Sequence, residues 1–351
     1  VAKGVRVTFF LYGQDCDETF EDEGMTFVKI KSAPFPGLTW LKNRLKIQKI
    51  VNDHVEKQQL DLIEAADWCG ITAFMKLKCP IVLRLHGSDT YFCHIEEREQ
   101  KKKNFVQEKM ALKAATAIVS CSSFTAELTK KLFTMPTRDI TVIHNGVELD
   151  KFSPSGKTTG NTILYFGTLI RKKGLFELAH IFNEVHEKDS DAELLLVGSD
   201  SFDVKTGTAS TWELIQKEFT EEALKKVNYL GRVSHDKISE IINSSAVCVF
   251  PSFAEAFPVS WLEAMACSKA LVASNVGWAP EAIEDGQSGY LVHPTKHEDY
   301  AEKILNVLHD ETLRQKLAEG ARQRVKKLFQ NCDLANQNIR FYQDVMEKGK
   351  R

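Results

Sequence analysis

Residues 247–274 read VCVFPSFAEAFPVSWLEAMACSKALVAS, and this stretch decides the fold. Val247 to Phe250 is apolar throughout, as expected of a strand buried on both faces of a parallel sheet. Pro258 suits the first turn of a helix, where its missing N–H would have no partner. Glu255 then sits in a strand-to-helix loop and Glu263 in the helix, with seven residues between the two carboxylates. A helix opening just beyond a parallel strand aims free N–H groups and a positive dipole end at the crevice above the sheet, which favours a phosphate ester. Glu263, on the helix wall, is placed to accept hydrogen bonds from a ribose diol, and Glu255 to reach a second set of hydroxyls. Phosphate, ribose and sugar together make a nucleotide sugar.

Outward from this segment, short apolar runs alternate with helical patterns. Strands are expected at Val5–Leu11, Leu60–Glu64, Ile81–Leu85 and Ala117–Ser120, with helices over Leu41–Gln58 and Gln100–Ala115, which is the rhythm of a parallel α/β sheet. The rhythm breaks at His144–Glu148 and at the Ser-, Pro-, Gly- and Thr-rich Ser153–Gly160. It then restarts with strands at Thr162–Phe166, Glu193–Val197, Ala246–Phe250 and Leu271–Ala273. Two open α/β domains are expected, residues 1–147 and 148–330, with a crevice between them. Ligands of such sheets bind beyond the carboxyl ends of the strands.

Composition narrows the class. A chain of 351 residues with 43% hydrophobic and 27% charged content reads as an ordinary globular protein of two domains. A net charge of −2 gives no global pull toward nucleic acid. Eight cysteines form no C-x-x-C pair and several sit in apolar runs, which fits reduced thiols and a cytoplasmic location. No apolar run approaches the roughly 18 residues needed to span a bilayer, and no signal-like segment opens the chain.

The segments LRLHGSD (83–89), VIHNGVELDKF (142–152), FGTLIRKKG (166–174), LLLVGSD (194–200), NYLGRV (228–233) and EAFPVSWLEAMACSKALVASNVGWAPEAIEDGQSGYLV (255–292) resemble glycosyltransferase family 4. The resemblance covers nearly the whole chain and is sharper after residue 140. It implies a GT-B fold, with two Rossmann-like α/β domains facing across a cleft. The first domain would serve the acceptor and the second would hold a UDP- or GDP-sugar. It further implies transfer with retention of anomeric configuration, no metal and no other cofactor. Residues 331–351 would form a C-terminal helix, either crossing back onto the first domain or packing within the second. By the same resemblance, a first βα unit of roughly 30 residues is absent ahead of Ala2–Phe9.

Site roles follow residue by residue. Arg171, Lys172 and Lys173 are expected to meet the donor diphosphate, whose charge grows as it departs. Gly167 precedes them, and Thr168 stands where relatives commonly carry an arginine. Glu263 is assigned to the ribose hydroxyls and Glu255 to the transferred sugar or its phosphate. The backbone amides of Ala256, Phe257 and Val259 are expected to donate to phosphate or sugar oxygens. The Phe257 ring has two readings, ligand contact or packing at the start of the helix. His86 is expected to face the donor, with Asp89 either orienting it or capping the next helix. Asn145 and Gly146 match the interdomain hinge, and a plain turn would read the same. Arg232 and Val233 are expected at the base, although Arg232 also reads as a surface residue.

The favoured function is a retaining sugar transferase acting on a glycan or lipid-linked acceptor in surface-polysaccharide or glycolipid assembly. A nucleotide-sugar epimerase or hydrolase of the same fold is the enzymatic rival, and a noncatalytic nucleotide-sugar binder the third reading. The lysines of Arg98–Lys113 suit peripheral contact with an anionic membrane, whereas the interspersed glutamates suit a solvated helix face.

Overall fold

A computed structural model describes residues 1–155 and 160–349; residues 156–159, within the expected linker Ser153–Gly160, lie outside the described residues. The first half of the chain runs β1 (Thr8–Gln14), β2 (Glu18–Asp22), β3 (Met25–Lys31), α1 (Thr39–Glu56), β4 (Ile63–Ala66), β5 (Ile81–Leu85), α2 (Asp89–Ile95), α3 (Lys102–Ala114), β6 (Ala117–Ser120), α4 (Ser123–Leu132) and β7 (Thr141–Val142). Next come β8 (Thr162–Phe166), α5 (Leu175–Lys188), β9 (Glu193–Val197), α6 (Thr211–Ile215), α7 (Glu221–Leu224), β10 (Val227–Tyr229), α8 (His235–Ser244) and β11 (Val247–Phe250). The chain closes with α9 (Val259–Ala266), β12 (Ala270–Ser274), α10 (Ala279–Ala282), β13 (Tyr290–Val292), α11 (His297–His309), α12 (Glu311–Leu328) and α13 (Asn331–Gly349). Two compact units result, one of residues 1–84, 101–118 and 342–351, the other of residues 85–100 and 119–341.

The second unit is built on six strands in the order β10-β9-β8-β11-β12-β13, every pair parallel. All four residues of β11 are buried, as the apolar run required. The chain winds outward from β8 through β9 to β10, then returns to lay β11 against the other side of β8, with Val247 opposite Ile163. That reversal makes the β8–β11 seam a topological switch point, where loops leave neighbouring strands in opposite directions and open a crevice. Trp261 of α9, Trp278 and Tyr300 of α11 are fully buried in the core of this unit.

The first unit holds β1-β3-β2, with β1 parallel and β2 antiparallel to β3. Val28 and Ile30 of β3 meet Ile47 and Val51 of α1 in its core, and Ile63 of β4 packs against them. Glu23 and Gly24 join β2 to β3 with φ of 47° and 74°, the two positive angles of a tight hairpin turn matched to strand twist. Neither strand was expected; β2 is exposed along its length and shows no apolar alternation, whereas β3 buries Val28 and Ile30. The first strand lies at Thr8–Gln14 rather than Val5–Leu11, and the second at Ile63–Ala66 rather than Leu60–Glu64. Pro258 is the residue before α9, not in its first turn.

The last residues of α13 belong to the first unit. Arg84 Nε and Nη2 donate to the two oxygens of Glu64 at 2.8 and 2.9 Å, and the Tyr342 hydroxyl donates to Glu64 Oε2 at 2.7 Å. Burial beside this carboxylate pushes the Tyr342 phenol up to about 12. Tyr342→Phe should therefore leave Glu64 short of one bond and lower the unfolding free energy by about 1 kcal/mol, read from urea titration.

Candidate active site

Two loops leave the switch point side by side, Gly167–Gly174 from β8 and Pro251–Pro258 from β11. The backbone joins them directly. Phe253 N and Ala254 N both donate to the carbonyl of Lys172, at 2.9 and 3.3 Å. Gly174 has φ of 70°, and a Cβ there would lie 1.8 Å from the Pro251 carbonyl oxygen, so only glycine allows this approach. Gly167 stands at φ of 147° with Lys173 Nζ 3.4 Å from where its Cβ would be. The bare backbone at Gly167 thus makes room for the Lys173 ammonium.

Three successive carbonyls of the second loop are taken by side chains from earlier in the chain. The Tyr91 hydroxyl donates to Glu255 O at 2.7 Å. Ser122 Oγ and Thr125 Oγ1 donate to Ala256 O at 2.8 and 3.1 Å. Asn145 Nδ2 donates to Phe257 O at 2.9 Å. With its carbonyls held this way, the loop keeps its N–H groups for something else. Those of Ala256, Phe257 and Val259 have no acceptor among the described residues, and Pro258 gives α9 no side-chain cap. Unpaired donors in a mostly buried loop that runs into a helix start make a nest for an anion.

Charged groups converge on the same place. Lys173 Nζ lies 3.2 Å from Glu255 Oε1, both partly buried. Lys172 Nζ sits 3.4 Å from the centroid of the Phe92 ring on α2, and burial pulls its pKa down. Arg171 is placed differently from the expectation. Its Nε and Nη2 each donate at 2.9 Å to the carboxylate of Asp203, which is buried, and the guanidinium lies 3.9 Å from the centroid of the Phe176 ring. The sequence pointed Arg171 at a diphosphate; the structure commits it to a carboxylate. Arg171 in turn holds the Asp203 carboxyl down at about 2.

Glu263 lies in the middle of α9 and is buried at 8% exposure. His235 Nε2 donates to its Oε1 at 2.9 Å, and Lys151 Nζ donates to His235 Nδ1 at 2.9 Å. A lysine on Nδ1 leaves the ring proton on Nε2, where it meets the carboxylate. Burial raises the pKa of Glu263 and the His235 bond partly offsets it. Of the remaining predicted residues, Arg232 is exposed and Val233 is partly buried against the core of the unit, just beyond β10. His86 follows β5, five residues before the tyrosine that holds Glu255 O. Ser88 caps α2 through its hydroxyl, with Asp89 as the first helical residue, so the cap falls one residue earlier than expected. The Phe257 ring stacks on His144 at 4.8 Å and meets Phe329 at 5.5 Å, so it packs against those two rings.

The family model described as glycosyl transferases group 1 matches residues 147–324, and the model of glycosyltransferase family 4 matches residues 1–151. The chain belongs to glycosyltransferase family 4. This glycosyltransferase is 28% identical over 329 residues to an uncharacterized glycosyltransferase of Methanocaldococcus jannaschii, covering 90% of the present chain and 85% of the relative. Sucrose-phosphate synthase from Thermosynechococcus elongatus superposes with a TM-score of 0.82 at 20% identity, over 99% of this chain and 90% of that one. Anabaena HepE, solved with UDP and glucose, superposes with a TM-score of 0.72 at 20% identity, over 91% and 86%. The fold of the glycosyltransferase is thus GT-B.

Sequence reasoning missed Tyr91, Ser122, Thr125, His235, Lys151 and Asp203. Ser122 had one readable signal, a serine two residues past strand β6 and immediately ahead of a helix, but its reach to Ala256 O had none.

Two outcomes test these couplings. The Asp203–Arg171 contribution is present above the ordinary aspartate value of 3.8 and disappears as acid takes the pH toward about 2. Asp203→Asn should remove about 2 kcal/mol at neutral pH and flatten the acid limb of the urea midpoint against pH. Glu263 behaves oppositely. Its folded pKa lies above the ordinary 4.5, so its ionisation costs stability as pH rises past that value. Glu263→Gln should unfold at higher urea than the parent at neutral pH, and the difference should vanish in acid.

Proposed function

We propose that this glycosyltransferase moves a hexosyl group from a UDP- or GDP-sugar to a glycan or lipid-linked acceptor, with retention, in surface-polysaccharide or glycolipid assembly. The pinned loop carries the reading: three anchored carbonyls leave the amides of Ala256, Phe257 and Val259 open beside Lys173. Those amides and Lys173 would take the diphosphate and Glu263 the ribose, with Gly167 leaving room and Lys172 adding charge at the rim. Arg232 and Val233 would lie toward the base, and Glu255 and His86 toward the transferred sugar. Arg171 would reach the diphosphate only by leaving Asp203. Asn145 acts by orienting Phe257 rather than by touching the ligand.

In the proposed step the acceptor oxygen bonds to the anomeric carbon on the face from which the β-phosphate oxygen departs. The leaving oxygen takes the acceptor proton, while Lys173 and the open amides stabilise its charge. No side chain serves as a covalent nucleophile and no metal is required. The work would take place in the cytoplasm, with peripheral contact to a membrane that carries the acceptor. HepE, crystallised with UDP and glucose, supports the donor class through a shared fold.

The direct check is calorimetry of nucleoside diphosphates and their sugars against the parent, Glu263→Ala and Lys173→Ala. One base class should bind the parent. Each substitution should weaken that binding by about tenfold or more, since each removes a charge-assisted contact. Unchanged affinity in Glu263→Ala would overturn the ribose assignment. Sugar release without an acceptor at the full turnover rate would favour the hydrolase.

A further inference from the structure

Helix α4 starts with its leading N–H groups already filled, two of them by a residue 158 positions beyond Ser123. Glu281, in the short helix α10, accepts from Ser123 N through Oε2 at 2.7 Å and from Phe124 N through Oε1 at 2.9 Å. Ser122 Oγ accepts from Thr125 N at 3.1 Å. These are the first three residues of α4, whose N–H groups have no acceptor within the helix. The first turn of α4 holds no acidic side chain of its own, so the negative charge that complements its positive end comes from Glu281.

The turn that carries Glu281 is fixed from two sides. Gly277 has φ of 41°, and a Cβ there would lie 2.7 Å from the Phe124 ring, so glycine lets the turn close on the start of α4. The buried Trp278 meets the same ring edge-on at 6.2 Å. From behind, Arg324 of α12 donates through Nε to Ala282 O at 2.7 Å and through Nη2 to Glu281 O at 3.0 Å. Among the described residues, the Glu281 carboxylate bonds to the two α4 amides and to nothing else.

What the carboxylate holds is the turn that shapes the anion nest. Ser122 and Thr125 both donate to Ala256 O, and a peptide group points its N–H opposite to its C=O, so these two hydroxyls aim the Phe257 N–H. Thr125 Oγ1 also lies 3.4 Å from the Tyr91 hydroxyl, which holds Glu255 O and thereby aims the Ala256 N–H. Both open donors thus take their direction from residues at or beside the start of α4.

We infer that Glu281 is a positioning residue for the donor site: through the start of α4 it sets the direction of the Ala256 and Phe257 amides. This rests on the nucleotide-sugar reading for its purpose, and one arm of the test needs no nucleotide. Glu281→Ala should weaken binding of a nucleoside diphosphate by about tenfold and leave the nucleoside alone unaffected. Glu281→Gln keeps the shape and one acceptor oxygen, and should fall between parent and Glu281→Ala. In a background of Ser122→Ala with Thr125→Val, where the path is already cut, Glu281→Ala should cost less than about twofold more. Amide NMR with phenylalanine-selective labelling supplies the nucleotide-free arm: the Phe124 signal should move because it loses its acceptor, and the Phe257 signal should move with it. Circular dichroism verifies that each variant folds, and Glu281→Gln carries the test if Glu281→Ala does not. An unmoved Phe257 signal would overturn the inference whether or not a nucleotide binds. So would an affinity loss that is equal with and without the phosphates, or one undiminished in the Ser122 and Thr125 background. A parent that binds no nucleoside diphosphate overturns the donor reading instead, and the Phe257 signal then decides the coupling.

Discussion

The organisation of the candidate site rests on the four hydrogen bonds that hold the carbonyls of Glu255, Ala256 and Phe257. A peptide group points its N–H opposite to its C=O. Fixing three carbonyls in succession therefore fixes where the intervening donors point, before any ligand arrives. An anion nest in which the donors are already aimed costs little reorganisation when charge develops. The anchors are polar side chains, a tyrosine, a serine, a threonine and an asparagine, and each sits on or beside a strand end or helix start. The loop itself contains no glycine, so its shape is imposed by neighbours rather than by local preference.

The charges of the site are balanced against one another without ligand. Lys173 faces Glu255, Arg171 faces Asp203, and Glu263 is met by His235. Each pair keeps a buried or half-buried ion from standing alone, which would be costly. Each pair also has to be partly exchanged when an anionic, hydroxyl-rich ligand enters. Among the described residues the amides of Ala256, Phe257 and Val259 have no such partner to give up, so they are the part of the site whose interaction with an anion is least offset.

Legibility followed burial. Strands β5, β6, β8 and β9 have the bounds read from sequence, because apolar runs closed by turn residues leave little choice of register. Strand β2 gave no such signal, since it is exposed along its length. That Glu255 and the 256–257 amides lie together past the end of β11 was legible, because consecutive residues after a strand must share its end; that Lys173, from the loop after β8, meets Glu255 was not. Tyr91, Ser122 and Thr125 were not, because a hydroxyl that reaches a backbone carbonyl far along the chain leaves no spacing pattern. Arg171 shows the opposite failure: its place in the R-K-K turn is plain in sequence, and only the fold reveals the aspartate that claims it.

The order of the six-stranded sheet has a kinetic corollary. Strands β8 and β9 lie close in sequence, as do β11 and β12, and each pair can form from local chain. The β8–β11 seam joins residues from Ile163 and Val247, with β9, β10 and α8 lying between them in sequence, and contacts of that separation close late because loop entropy must be met first. The two loops that make the anion nest leave from this seam. Refolding chains would thus acquire most of their helix and local sheet before the two loops meet, and an anion bound across them would act as a staple on the last contact to form and the first to part.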